Sequence, residues 1–350
     1  MNFLDDSINK YIQNFLKLEP NLILSIGITS SNHEEVSLFS NNFPNNKDYL
    51  YEIGSISKVY LSCLLAKLIF EKKINLEDSI DKYLKLPKDR IYPTVLSLAT
   101  HTSGYCPLIS FSFIWRYLLK NKNMRTNLYY KVKSERIYEQ IHAIKLKNKT
   151  YPYHYSDMNA AVLGEVISQV ENKPFDEVMQ AFLEHDLGLS NTFLASSKLR
   201  NIESYYRKKI RYHFNWDYGD VYAPAGGLLT TIDDALKFLK MQIEKQPEFI
   251  SLTQKKHVRI IFFRKPMMMG LGWHMYPDGN YMFHKGGTSC FRASYLVEKK
   301  RKIGIAVLAN VIGNRVYNTT KLSIMLCKKA KEEIKKDRVV TTLIKETNFS

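Results

Sequence analysis

The alternation of apolar and polar positions divides the chain into three stretches, of which the first contains a helix and strands. Residues 3–16 carry apolar side chains three and four positions apart, which predicts an amphipathic helix. Residues 22–29 and 35–40 have the composition of strands on either side of a polar Ser-Ser-Asn-His turn, and residues 49–53 are predicted as a third strand. A helix followed by neighbouring strands indicates an antiparallel sheet covered by helices.

The second stretch opens with the most informative helix. Residues 51–70 read YEIGSISKVYLSCLLAKLIF. Gly54 allows a sharp turn after the strand-like start. The helix predicted for residues 59–70 is apolar on nearly every side, which is typical of a helix buried in the centre of a fold. We therefore expect the rest of the chain to pack around it.

The pattern then becomes mainly helical up to about residue 240, and the strand period returns after residue 260. The predicted helices cover residues 92–102, 134–145, 157–170, 174–184, 231–243 and 315–336, and residues 76–87 are predicted as a turn and a short helix that Pro87 ends. The late strands cover residues 269–275, 281–285, 293–298 and 303–309. This order predicts an α/β fold of the α+β type, in which an antiparallel sheet is flanked by N- and C-terminal helices. We expect one compact unit: residues 1–71 and 260–338 form the sheet region, residues 72–259 an inserted helical region, and residues 339–350 a tail.

The amino-acid composition indicates the cellular compartment of the protein and the redox state of its cysteines. The chain has 350 residues, of which 45% are hydrophobic and 24% charged, as in ordinary globular proteins. Its four cysteines lie far apart, which favours reduced thiols over a disulfide framework or a zinc site. The N-terminus lacks the basic and apolar regions of a secretory signal, and no apolar run approaches the ~18 residues of a membrane span. Unless a signal segment preceded it, the sequence is expected to be soluble and cytoplasmic.

The net charge of +17 raises the question of an anionic partner. Residues 116–149 hold ten Lys and Arg against two Glu, so this segment could meet nucleic acid or an anionic membrane surface. No nucleic-acid motif accompanies it, and Tyr, Leu and Ile are interspersed at helical spacing. We therefore favour a solvated helical face and expect no nucleic-acid partner, while peripheral membrane contact has no support. The apolar segment 107–119 could line a pocket, lie on a membrane or pack against the core.

Ser55 and Lys58 are the first candidates for chemistry. Residues three apart on a helix share a face, so the hydroxyl and the amine could touch. The amide groups at the helix start favour an anion beside Ser55, and a partly desolvated lysine is one known activator of a serine nucleophile. The alternative is a helix-capping Ser55 with a snorkelling surface Lys58. A lysine in the first turn of a buried helix nevertheless needs a reason to be there.

Two further polar clusters follow in the sequence. Tyr153-His154-Tyr155-Ser156-Asp157 precedes a predicted helix, and His284-Lys285-Gly286-Gly287-Thr288 ends a predicted strand. Taken alone, Tyr155 is more typical of a packed core tyrosine and His284 of a structural histidine. The order of the three clusters is, however, that of the penicillin-recognising serine enzymes.

The match extends over most of the chain, roughly residues 25–309. The blocks YEIGSISK, LEDSIDKYL, LSLATHTSGY, YHYSDMNAAVLGEVI, PAGGLLTTIDDALKFL, MGLGW and HKGGTSCF stand in the order of one family. The sequence resembles the serine β-lactamase-related family, which includes class C β-lactamases, penicillin-binding proteins, D-aminopeptidases and β-lactamase-like esterases. The resemblance implies that family's fold and an acyl-enzyme mechanism that uses neither a metal nor an organic cofactor.

The resemblance also implies roles for individual residues. Ser55 would attack the carbonyl, with Lys58 as proton acceptor and electrostatic partner. Tyr155 would serve as general base or proton shuttle, and His284 takes the place of the lysine in the K-T-G motif. Backbone N–H groups of Ser55 and Gly287 would form the oxyanion hole, and Asp157, Gly286 and Thr288 would complete the substrate-binding set.

Departures from the family pattern limit the choice of substrate. Asp157 replaces the usual Asn of the Y-x-N motif, and a carboxylate cannot donate a hydrogen bond to a substrate carbonyl. Lys285-Gly286-Gly287 is itself K-x-G, so in an alternative register Lys285 rather than His284 would face the site. The sequence predicts a serine hydrolase for a small ester or peptide-like amide; the alternatives are a DD-peptidase or β-lactamase, and a non-catalytic member that binds a partner or membrane through residues 107–149.

Overall fold

The computed structural model describes residues 3–105, 129, 131–195, 202–206, 209–213, 216–311 and 313–347, with the backbone alone in residues 202–206, 209–213 and 337–347. The segment 107–119, for which three interpretations were open, lies outside these residues.

The longer helices follow the apolar periodicity of the sequence, whereas the short helix predicted within residues 76–87 is the 3-10 turn Ile80–Lys82 and the helix predicted over 92–102 is limited to Val95–Ala99. In chain order the helices are α1 (Asp6–Leu18), α2 (Ser57–Phe70), α3 (Val95–Ala99), α4 (Ser134–Ala143), α5 (Asp157–Glu171), α6 (Phe175–Ala181), α7 (Ala223–Gly226), α8 (Ile232–Glu244), α9 (Ile250–Thr253) and α10 (Thr319–Thr347). Helix α1 begins where the Asp5 side chain accepts a hydrogen bond from the Ile8 amide. Helix α10 continues to Thr347, into the residues predicted as a tail.

The strands belong to three sheets. In chain order they are β1 (Ile23–Thr29), β2 (Glu34–Ser40), β3 (Tyr51–Glu52), β4 (Phe193–Leu194), β5 (Ile202–Tyr206), β6 (Lys209–His213), β7 (Leu228–Thr230), β8 (Val258–Phe262), β9 (Lys265–Met269), β10 (His274–Met275), β11 (Tyr281–Gly287), β12 (Arg292–Glu298) and β13 (Ile303–Ala309). The large sheet is antiparallel in the order β2-β1-β13-β12-β11-β10-β9-β8. It is built from both ends of the chain, as predicted.

Three strand predictions were wrong in detail. Only Tyr51 and Glu52 of residues 49–53 form a strand, and β3 pairs with β7 in a small separate sheet rather than with β1. Residues 269–275 contain the last residue of β9, a turn, and the whole two-residue strand β10. A Cβ on Gly270 would lie 2.3 Å from the Thr253 carbonyl oxygen, so this turn accepts only glycine. The hairpin of β5 and β6 lies in a region predicted to be helical.

The large sheet is covered on both faces. Helices α1 and α10 pack on one face, around Ile26, Ile305 and Val307, and α8 packs on the other against β1 and β13. Helix α2 is buried from Ser57 through Ala66, as its apolar sequence predicts, and its core continues from the sheet into the helical region. The division into a sheet region and an inserted helical region stays a prediction. Within the described ranges, every helix is too short or too polar to cross a membrane.

Candidate active site

Ser55 lies in a tight turn at the entrance to helix α2. The turn, Gly54–Ile56, is a 3-10 turn, so Ser55 precedes the α-helix proper by two residues. Gly54 has a φ of 51°, and a Cβ there would lie 2.7 Å from the amide nitrogen of Gly287. The glycine is therefore required twice, once by its backbone conformation and once by the close approach of strand β11.

Lys58 is buried directly beside this serine. Its side-chain nitrogen donates to Ser55 Oγ at 3.3 Å and to the carbonyl oxygen of Ala225 at 2.7 Å. The interpretation of Lys58 as a snorkelling surface residue is wrong, because the residue is only 3% exposed. A buried ammonium is stable only when it is paired and hydrogen-bonded, and this one is both.

Asp157, the first residue of helix α5, is the charge partner of Lys58. Its Oδ1 lies 2.7 Å from Lys58 Nζ, and its Oδ2 accepts a hydrogen bond of 2.7 Å from Tyr129 Oη. Burial by itself lowers the pKa of Lys58, but the negative charge of Asp157 and the neighbouring Tyr155 outweigh it and hold that pKa above its usual value. Lys58 is therefore an ammonium ion in the resting site.

Tyr155 stands over this ion pair. Lys58 Nζ lies 5.0 Å from the centroid of its ring, and the ring of His101 lies 4.5 Å away. In the described part of the chain, the Tyr155 hydroxyl oxygen is buried and meets no hydrogen-bond partner of good geometry. A buried hydroxyl in that situation calls for an explanation, and a role toward a substrate provides one.

Strand β11 brings His284 to the same place. His284 and Gly286 are buried on one face of the strand, whereas Lys285 is exposed on the other. A Cβ on Gly286 would lie 1.7 Å from the carbonyl oxygen of Ile53, so this face is pressed against the turn that carries Ser55. The ring of His284 lies 6.3 Å from that of Tyr155. His284, and not Lys285, thus holds the buried position beside Tyr155, while the exposed Lys285 contributes to the outer lining of the cavity described below.

His284 is held as a neutral imidazole. Burial is the main reason that its pKa lies well below the usual value, and His274 and the Lys58 ammonium lower it further. Its Nδ1 lies 3.0 Å from the carbonyl oxygen of Lys285, which selects the tautomer with the proton on Nδ1. A histidine in this state leaves Nε2 as a hydrogen-bond acceptor and supplies no positive charge.

The remaining residues that were predicted for the site differ in where they lie relative to the cavity. Gly286 and Gly287 line the cavity described below. The Thr288 hydroxyl accepts a hydrogen bond from the Phe291 amide at 3.2 Å, within the turn that joins β11 to β12. The role of Thr288 in substrate binding stays a prediction.

Several neighbours of the site were missed by the sequence reasoning. His101 Nδ1 accepts a hydrogen bond from the Ser156 amide at 3.2 Å and so fixes the backbone beside Tyr155. His274 Nε2 lies 2.8 Å from Tyr153 Oη, and burial lowers the pKa of His274 to about 3. His101 falls within the block LSLATHTSGY, which offered a signal. For His274 and Tyr129 no local pattern distinguishes them from ordinary core residues.

A cavity of about 840 Å³ opens in front of Ser55. Its lining combines aromatic rings (Phe262, Phe263, His274) with cations (Lys285, Arg292, Arg315), and the described lining residues include no Asp or Glu. In the part of the chain that the structure describes, no three His, Cys, Asp or Glu side chains cluster as ligands for a metal ion. The cavity is suited to a neutral or anionic molecule.

The fold is that of class C β-lactamases and D-alanine carboxypeptidases of known structure. The chain belongs to the Beta-lactamase family, whose model matches residues 26–322. Similar proteins include Protein flp of Staphylococcus aureus (strain MW2), 24% identical over 279 residues, which are 75% of this chain and 53% of that protein. A Beta-lactamase of Providencia stuartii is 23% identical over 294 residues, covering 77% of this chain and 68% of the relative. The chain thus spans about half the length of the Staphylococcus relatives.

Solved structures support the fold. A Beta-Lactamase/D-Alanine Carboxypeptidase from Pseudomonas syringae superposes with a TM-score of 0.76 at 18% identity, covering 93% of this chain and 99% of that one. A class C beta-lactamase gives a TM-score of 0.75 at 17% identity, covering 92% of this chain and 95% of the other. At these identities the similarity establishes the architecture.

Proposed function

We propose that this chain is a serine hydrolase that forms an acyl-enzyme on Ser55 and acts on a small ester or a peptide-like amide. The observation that carries the proposal is the contact of 3.3 Å between Ser55 Oγ and the buried Lys58 ammonium, at a cavity that Tyr155 and His284 also line. A hydroxyl beside a buried cation, a phenol and a neutral imidazole is a plausible nucleophile.

In the acylation step, Ser55 Oγ forms a bond to the substrate carbonyl carbon, and the carbonyl electron pair moves onto its oxygen. The proton of Ser55 passes to the Tyr155 oxygen while the Tyr155 hydroxyl gives its own proton to the leaving oxygen or nitrogen, so that the phenol stays neutral and an alcohol or amine departs as the carbonyl re-forms. Because Asp157 keeps Lys58 charged, we assign Lys58 the electrostatic role rather than that of the base. In the second step water adds to the ester carbonyl carbon, its proton reaches the Ser55 oxygen by way of Tyr155, the bond from that carbon to Ser55 Oγ breaks, and the carboxylic acid leaves.

The oxyanion that forms in each step needs backbone donors. We assign this role to the N–H groups of Ser55 and Gly287. The close packing of Gly54 on Gly287 supports the assignment, because a Cβ on Gly54 would lie only 2.7 Å from the Gly287 nitrogen. The loss of one such donor typically costs ~10²–10³ in rate.

The contacts of the Asp157 carboxylate favour esters over β-lactams as substrates. Its carboxylate is already engaged by Lys58 and Tyr129, and it cannot donate a hydrogen bond as the amide of Asn would. An esterase activity on neutral or anionic substrates follows from this difference and from the cations of the cavity. A cytoplasmic site of action, inferred from the cysteine pattern of the sequence, belongs to the same proposal and is tested by cell fractionation.

An active-site-directed fluorophosphonate followed by peptide mapping tests the proposal. We expect covalent labelling of Ser55, abolished in Ser55→Ala and retained in Ser31→Ala, a matched control in an exposed turn. Labelling of another serine, or of none, would contradict an acyl-enzyme on Ser55. Competition by esters, D-peptides and penicillins then ranks the substrate classes.

A second candidate is a D-alanine carboxypeptidase or β-lactamase activity, which is favoured by the names of the similar structures. It requires stable or transient acylation of Ser55 by a penicillin. Intact-mass measurement after exposure to benzylpenicillin decides this, since an adduct that is absent from Ser55→Ala would establish the second candidate.

A further inference from the structure

The hairpin of β8 and β9 makes its turn with two residues that are poorly suited to it. Phe262 pairs with Lys265, so the loop consists of Phe263 and Arg264 alone. Their φ angles are 46° and 61°. Two successive positive φ values are the signature of a type I′ turn, in which Asn-Gly is strongly preferred. Bulky side chains in this region of φ are strained.

The folding of the hairpin does not explain why Phe263 occupies this position. The residue is 75% exposed, so it contributes little to the core. Its ring contacts Phe262 edge-on, with centroids 4.6 Å apart, and Lys285 Nζ lies 4.9 Å from its centroid. Cation–π contacts at exposed sites are weak. A strained turn that presents an exposed aromatic side chain indicates a function for that side chain.

The position of Phe263 connects it with the catalytic centre. Phe263 lines the same cavity as Ser55 and His284. Aromatic contacts run without a break from His284 to His274 (5.4 Å between ring centroids), from His274 to Phe262 (4.4 Å) and from Phe262 to Phe263. All four rings line the cavity, and the row leads from the buried His284 to the exposed Phe263, where the two phenylalanines supply its apolar part.

We propose that Phe263 is a specificity-determining residue, the outer edge of an apolar subsite that binds an alkyl or aryl group of the substrate. The inference rests on the proposed hydrolysis at Ser55 and adds the substrate class: esters or amides with an apolar group attached to the acyl or the leaving side. A relaxed Asn-Gly turn would lack the ring.

The decisive variant removes the ring while improving the turn. Phe263→Asn combined with Arg264→Gly installs the preferred type I′ sequence, so we expect the melting temperature to stay level or rise. The wild type should show a kcat/KM that increases with the length of p-nitrophenyl acyl esters from acetate to octanoate, or of alkyl leaving groups. In the double variant the octanoate-to-acetate ratio, or its leaving-group equivalent, should fall by roughly tenfold, as expected for losing contact with a few methylenes.

Arg264→Gly alone is the matched control, since it relaxes the turn and keeps Phe263; it should retain the wild-type chain-length ratio. An unchanged ratio in the double variant, or a wild type without chain-length preference in both series, would overturn the assignment of Phe263.

A binding measurement separates this inference from the proposed hydrolysis. In the Ser55→Ala background, calorimetry with methyl and octyl esters should show tighter binding of the longer chain, and the added Phe263→Asn/Arg264→Gly change should abolish the difference. If that result holds while the wild type hydrolyses no ester, the apolar subsite stands and the hydrolase proposal fails. If the wild type hydrolyses esters but neither measurement depends on Phe263, the subsite fails alone.

Discussion

Lys58 and Asp157 form an ion pair of 2.7 Å, in which the lysine side chain is 4% exposed and the aspartate side chain 23%. The pair joins the entrance of helix α2 to the first turn of helix α5. It places a fixed positive charge beside Ser55 Oγ, and Asp157 stands at the position of the asparagine in the family's Y-x-N motif. The protonation state of Lys58 and, in the proposed mechanism, the range of substrates therefore depend on the same contact.

Replacing the cation should abolish activity. In Lys58→Met the buried side chain keeps its approximate length but loses the charge, so we expect kcat/KM for a reactive ester to fall by on the order of 10³. The free energy of unfolding should fall by about 1–3 kcal/mol, less than for a fully buried pair, because Asp157 retains access to water. Urea denaturation of the two single variants and of Lys58→Met/Asp157→Asn measures the coupling; additive effects would contradict a direct pair.

Restoring an amide at position 157 should widen the substrate range. In Asp157→Asn the side chain gains a donor, and we expect acylation by benzylpenicillin to become about tenfold faster, the value of one additional hydrogen bond. Rapid-quench mass spectrometry of the acyl-enzyme measures the rate. Tyr129→Phe is the control, because it removes the hydrogen bond to Asp157 but leaves the carboxylate in place. Equal acylation rates in Asp157→Asn and the wild type would show that Asp157 does not exclude β-lactams.

The Lys58–Asp157 pair also predicts a loss of stability at alkaline pH. The folded-state pKa of Lys58 is raised above its unfolded value, so the contribution of the pair is complete below the unfolded pKa of ~10.4 and is lost as pH rises through the folded value. The difference in unfolding free energy between the wild type and Lys58→Met should therefore shrink above about pH 10. Denaturation curves at successive pH values measure it; a constant difference up to pH 12 would refute the assignment.

Strand β11 should tolerate no side chain at position 286. A Cβ there would lie 1.7 Å from the Ile53 carbonyl oxygen, so Gly286→Ala must push the strand away from the turn that carries Ser55. We expect a stability loss of about 1–3 kcal/mol and a larger effect on kcat, roughly 10²-fold or more. Gly188→Ala is the control for an added methyl group without a steric clash: φ is 62° there, unlike at Gly286, and nothing lies within 4 Å of the added Cβ. It should lose about 1 kcal/mol without loss of kcat.

Three buried histidines should make the fold sensitive to acid. Burial is the main cause that lowers the pKa values of His101, His274 and His284 in the folded protein. Below the unfolded pKa of ~6.5 the unfolded chain binds protons that the folded chain does not, so stability falls as pH falls. Each histidine contributes up to about 1.4 kcal/mol per pH unit.

Urea denaturation between pH 8 and pH 4.5 measures how steeply the unfolding free energy depends on pH, and His274→Gln should reduce this slope by the contribution of one proton. Nitrogen-15 NMR provides an independent check, in which the His284 ring should remain neutral at pH 5.5. A protonated His284 at that pH would contradict the neutral imidazole inferred for the site.

Local patterns were sufficient for much of the fold. The period of the strands at both ends of the chain predicted a sheet assembled from them, and the uniformly apolar α2 was predicted to be central. Ser55 and Lys58 could be paired from spacing alone, because residues three apart at a helix start share a face in any fold. These predictions succeeded since they depend only on neighbours in the sequence.

Other features depend on contacts between distant residues. The pairing of β3 with β7 could not be predicted, because a two-residue strand has no register of its own until its partner is in place. The positions of His101 and His274 beside the site could be recognised only in the folded chain. Their partners Ser156 and Tyr153 lie 55 and 121 residues away, respectively.

The sequence alone determined which side chains could take part in the chemistry: a serine, a lysine, a tyrosine and a histidine at recognisable positions. Only the tertiary structure decided their charge states. Burial, which no local pattern measures, sets the pKa values of the histidines, and the approach of helix α5 to helix α2 keeps Lys58 charged. Electrostatic energies depend on distance and on exclusion of water, and both quantities exist only once the chain has folded.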